Sequence, residues 1–158
     1  MNWESWLLWG LAATVVLTTA SALTQGLGLT RMNLPYMLGT IFTADRDRAR
    51  MYGLLVHLGM GWVFSLIYVL IFEAVGHAGW WRGALIGLIH AGFVLTAVVA
   101  VLPGLHPRMA SEQHGPTAQN MLEPPGFLAL HYGVRTPLSI LISHAIFGAI
   151  LGGFYHLR

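Results

Sequence analysis

No Asp, Glu, Lys or Arg interrupts the chain from Ser5 to Thr30, from Met51 to Phe72, from Gly83 to Pro107 or from Thr136 to Leu157. Each run is apolar and long enough to cross a bilayer, which takes about 20 residues. A backbone in hydrocarbon must satisfy its own hydrogen bonds, and runs of this length do so as helices. Charged residues make up 9% of the chain, against about 25% in soluble domains. The sequence therefore predicts an all-α bundle of four transmembrane helices, at about residues 6–26, 51–73, 81–103 and 137–157. Little chain remains for anything else, so residues 1–158 read as one transmembrane domain in contact with lipid. Its loops are 27–50 and 104–136.

The missing residue types exclude whole classes of chemistry. Without Cys there are no disulfides, iron–sulfur ligands, thiolate metal sites or covalent c-type haem. All eight basic residues are Arg, so a phosphate loop with its lysine and a Schiff-base lysine are both absent. No paired acid and base, activated nucleophile or nucleotide motif is visible. The pI near 9.4 comes from few arginines, most of them in two loops. It reads as a topology signal and not as a nucleic-acid footprint.

Those arginines set the orientation. The two long loops hold Arg31, Arg46, Arg48, Arg50, Arg108 and Arg135; the opposite side holds Arg82 and Arg158. Positive-inside then places both loops in the cytoplasm and both termini outside. Ala20-Ser21-Ala22 looks like a signal-peptidase site, but no basic stretch precedes it, so the first run reads as a retained helix. Trp3, Trp6 and Trp9 are expected to anchor its outer end. Within the loops, Met32–Phe42 and Leu122–Tyr132 are apolar but too short to span, and read as interfacial segments. Pro103 and Gly104 are expected to end the third helix.

One pattern occurs twice. His57, Gly61, Ser65 and Tyr68 match His144, Gly148, Gly152 and Tyr155 at the same spacing. The first two helices and the last two are therefore candidates for two copies of one hairpin, in parallel repeat. Gly53, Gly61, Gly83, Gly87, Gly148 and Gly152 are the expected helix-packing positions, because small residues let helices approach closely in lipid. Tyr68 and Tyr155 are expected near the outer interface.

His57, His90 and His144 lie inside apolar runs, where an ionisable residue is a functional candidate by default. Three readings are open. In the first they are structural, bound to Thr14, Thr18, Ser65, Thr96 or Ser143 on a neighbouring helix. In the second, His57 and His144 face each other as axial ligands of a b-type haem, with the glycines making room. In the third, all three converge on a metal ion or a proton path. His106, Glu112, His114 and His131 in the second long loop match no zinc spacing.

The segment from Leu141 to Tyr155, with Leu105-His106-Pro107-Arg108-Met109 before it, resembles small uncharacterised four-helix bacterial inner-membrane proteins. That resemblance implies location and fold and supplies no catalytic residue. The first expectation for function is an integral membrane protein without catalysis. It would be an accessory or assembly subunit of a larger membrane complex, or would self-associate through a small-residue stripe. The alternatives are a b-haem electron carrier and a small transporter or channel.

Overall fold

In the computed structural model, residues 1–111 and 122–157 are described; Glu112 and His114 lie outside them. Among the described residues six α-helices occur: α1 (Trp3–Gly26), α2 (Leu34–Gly39), α3 (Arg46–Val75), α4 (Trp80–Phe93), α5 (Val99–Leu105) and α6 (Thr136–Phe154). A π-helical turn, Val94–Val98, joins α4 to α5. Four stretches of the described residues are long and apolar enough to cross a membrane: α1, α3, α4 through α5, and α6. The protein is an all-α membrane bundle. An end rich in Arg and an end rich in Trp lie at opposite ends of the helices.

The helix starts are written in local chemistry. Asn2, Asn33 and Asp45 each accept a hydrogen bond from the backbone N–H three residues on, at Ser5, Tyr36 and Arg48. Each satisfies one of the free donors of a first turn. α3 consequently starts at Arg46 and not at Met51. Its 30 residues span about 45 Å, more than the roughly 30 Å of hydrocarbon. The surplus carries the charged turn out of the lipid. Gly76 closes α3 with φ 73°, a left-handed cap that glycine adopts freely. Pro103 does not end its helix but sits inside α5. The second interfacial stretch is a 3₁₀ segment, Phe127–Tyr132, in which Leu128 and Ala129 both hold positive φ.

The helices pack as two close pairs. In the α1–α3 pair, Gly10 faces Ser65, Thr14 faces Gly61 and Thr18 faces His57. In the α4–α6 pair, Gly79 faces Gly152, Gly83 faces Gly148 and Gly87 faces His144. The register is the same: both pairs step by four along each helix, and His57 occupies in one the place of His144 in the other. Gly53 has a different role from the other packing glycines. It meets the Pro35 carbonyl of α2, while Gly39 meets the Ala49 carbonyl, and this locks the short helix onto α3.

Two apolar clusters fill the bundle. The one toward the Trp end contains Tyr68, Phe72, Phe147 and Leu151, all fully buried. Trp6 stacks on Trp62 and Trp9 on Phe154, so only Trp3 of the three early tryptophans is exposed like an interface anchor. The cluster toward the Arg end draws Met32, Met37, Met109 and Tyr132 from the two long loops. There each loop satisfies the other. Arg108 donates to the Thr40 and Ile41 carbonyls at 2.6 and 3.2 Å. Arg31 donates to the His131 carbonyl and pairs with Glu123 at 3.4 Å.

Candidate functional site

A crevice of about 50 Å³ enters the bundle near the loops and reaches His57 and His144. Six hydroxyl residues line it: Ser21, Thr24, Thr30, Thr136, Ser139 and Ser143. Their placement follows from the sequence. Ser139 and Ser143 are one turn apart on α6, and His144 follows directly. Ser21 and Thr24 share a face of α1, and Thr30 meets Thr136 at 2.7 Å where the two loops touch.

The protons of this lining are largely spent elsewhere. Ser21 donates to Leu17, Thr24 to Ser21, Ser139 to Arg135 and Ser143 to Ser139, each to a carbonyl of its own helix. The oxygens are left as acceptors. The histidines follow the same rule. Thr18 donates to the Thr14 carbonyl at 2.8 Å, so the 3.0 Å contact between Thr18 and His57 has Nδ1–H donating to the hydroxyl oxygen. His144 Nδ1–H donates to the Ile140 carbonyl at 2.9 Å. A neutral imidazole has one N–H, so Nε2 of both rings remains an acceptor. The polar groups of the crevice therefore offer acceptors and few donors, set among Leu17, Met32, Leu34, Val94 and Ile140, which make most of its lining apolar.

His90 extends the chain of polar groups inward. Its ring meets His144 edge to face at 4.9 Å between centroids, and its Nδ1 lies 3.0 Å from the Tyr68 hydroxyl. Tyr68 is thus a buried partner of His90 and not an interfacial residue; Tyr155 does lie at the Trp end, donating to Glu73. Beyond Tyr68 the path is closed by Phe72, Phe147 and Leu151.

The expected residues are brought together unevenly. His144 shares the crevice with His57 and its ring edge with His90. Among the described residues, no three His, Asp or Glu side chains form a group that could hold a metal ion. A haem does not fit between His57 and His144: the space is about 50 Å³, and cofactor pockets occupy roughly 300–1,000 Å³. Thr18 was among the partners that sequence reasoning named for the histidines. The hydroxyl lining and the His90–Tyr68 contact were missed; the i, i+4 spacing of Ser139 and Ser143 beside His144 was the available signal.

In the loops, His106 is structural. Its Nε2–H donates to the Met37 carbonyl at 2.9 Å, and its Nδ1 accepts the Arg108 N–H at 3.1 Å. Burial is the largest influence on this ring and holds its pKa below the ordinary 6.5; the nearby Arg108 charge acts in the same direction. His131 contacts the Pro124 carbonyl at 2.9 Å.

Comparison with protein-family models, curated proteins and solved structures finds no match to this chain.

Proposed function

We propose that this protein is a small transport protein of a bacterial inner membrane. It would admit a small hydrogen-bond donor, the proton first of all, from its Arg-rich side. The observation that carries this is the acceptor-lined crevice ending at His57 and His144. Polar side chains in lipid are expensive and are found where they line a path or pair with one another. A lining that has given its own protons to backbone carbonyls is matched to a guest that brings protons. Water, hydronium and ammonium have that chemistry and fit a space of this size. His57, His144, His90 and Tyr68 continue the polar path toward the bundle centre. The arginine asymmetry supports loops in the cytoplasm and both termini outside. The crevice would then open inward, with the buried aromatic cluster as the outer gate.

The test is flux. The protein is reconstituted into liposomes loaded with a pH-sensitive dye, and a potassium diffusion potential is applied. Proton entry above that of empty liposomes is expected, and should drop in Ser139→Val/Ser143→Val. Fluxes of protons, methylammonium and water all equal to those of empty liposomes would end the transport reading. The accessory-subunit reading would then take its place, and it requires a membrane partner that co-purifies in fixed ratio.

A further inference from the structure

Two surface hollows meet at the Arg-rich end, on the side where α1, α2 and α3 adjoin. The first, about 270 Å³, is lined by Arg31, Arg46 and Arg50 together with Glu123. The second, about 240 Å³, runs beside Thr18, Ala22, Leu34, Pro35 and Leu54. Gln25, Asn33, Tyr36 and Arg50 line both, so the two form one continuous groove. We infer that this groove binds an anionic phospholipid of the surrounding bilayer, with its phosphate among the three arginines and one acyl chain along α1 and α3.

Charge and depth support the assignment. Three guanidinium groups against one carboxylate leave the first hollow cationic. Arg31 is partly neutralised by Glu123. Arg50 pairs with Asp47 at 3.6 Å on a face where Asp47 is 92% exposed, and so exposed a pair contributes little. Arg46 makes no ion pair among the described residues. Guanidinium groups grip phosphate oxygens in bidentate fashion, and basic pockets at the cytoplasmic face are suited to anionic headgroups. Thr18 lies eight residues before the end of α1 at Gly26, or about 12 Å along the axis. The second hollow therefore descends from headgroup level into hydrocarbon, as an acyl chain does. A soluble phosphate would have no use for that apolar continuation. This inference does not depend on the transport reading.

The test uses the full chain, purified and delipidated in mild detergent. Its thermal unfolding is followed while dioctanoyl phosphatidylglycerol, dioctanoyl phosphatidylcholine or inorganic phosphate is added. Phosphatidylglycerol should raise Tm in a saturable way, and the other two should not. Arg46→Gln/Arg50→Gln should weaken that effect about tenfold or more, the least that losing a charge-assisted contact costs. Its Tm without lipid should be unchanged. Should the double variant fail to fold, Arg46→Gln alone serves, because it breaks no ion pair. Equal shifts with phosphatidylcholine, an equal shift with inorganic phosphate, or undiminished binding by the variant would each overturn the proposal.

Discussion

The seam between α4 and α6 gives the sharpest quantitative test. A Cβ added at Gly83 would stand 2.7 Å from the Gly148 carbonyl carbon and 3.0 Å from the Gly152 nitrogen. The Gly148 carbonyl oxygen lies nearer still, and contacts to carbon are optimal at about 3.5–4.0 Å, so Gly83→Ala must open the seam by more than about 1 Å. The obstruction is backbone and cannot swing aside. A gap of that size forfeits about half or more of each dispersion contact along the seam. Overpacking costs about 1–3 kcal/mol, and against immovable backbone the upper part of that range applies, about 2–3 kcal/mol. Against it stands the helix preference of Ala over Gly, about 1 kcal/mol. The net expectation for Gly83→Ala is a loss of about 1–2 kcal/mol, or roughly 2–8 °C in Tm for a chain of this length. Gly59 is the control. Nothing lies within 4 Å of a Cβ built there, so Gly59→Ala keeps only the helix gain and should raise Tm by about 1–4 °C. Thermal unfolding of both variants in dodecyl maltoside, followed by far-UV circular dichroism, measures the difference in sign. A Gly83→Ala protein as stable as Gly59→Ala would show that the two helices are not in backbone contact, and the shared register of the two pairs would lose its basis.

Two predictions concern the loop cap. Arg108→Ala removes the donor from the Thr40 and Ile41 carbonyls and should cost about 1–2 kcal/mol, low in the range for charge-assisted bonds because the guanidinium is half-exposed; hydrogen exchange over residues 34–43 should rise, and unchanged exchange would refute the contact. His106 binds its neighbours as a neutral ring with its pKa held below 6.5. Its contribution is complete above pH 6.5 and declines as pH falls through that value toward the folded pKa, because the unfolded chain takes up the proton first. The Tm of the parent should therefore drop below pH 6.5 more steeply than that of His106→Gln; parallel curves would refute the assignment.

Four helices were legible because each uncharged run is longer than any loop would tolerate. The start of α3 was not, because Arg46, Arg48 and Arg50 follow Asp45 in a run that hydropathy alone assigns to solvent. The Asp45 cap and the good helix propensity of arginine carry the helix past the membrane edge. Pro103 ended the third helix on paper, but a proline in a last turn costs only one hydrogen bond, and α5 continues to Leu105. The recurrence of His57 and His144 set the two rings at similar depth, and one crevice reaches both. Their neighbours were harder to read. Depth alone set His57 opposite His144, yet the side chain of His57 turns to Thr18 and His144 shares its edge with His90. Such choices depend on helix rotation, which the uniformly apolar faces of these segments leave unmarked.

The crossed arginines also impose an order on the making of the protein. Thr40 and Arg108 are 68 residues apart, a distance a ribosome covers in roughly 3–14 s at 5–20 residues per second. By the end of that interval three spans are made, through Leu105, and until Arg108 emerges the carbonyls beyond α2 lack their donor. Arg31 waits longer still, for His131. The first hairpin therefore reaches the membrane with its cap unfinished, and only a chain that has emerged almost to its last helix can close it. Completion of the cap is in effect a signal that synthesis has reached the second loop, and a product truncated before Arg108 would present open backbone groups to whatever protease surveys the membrane surface.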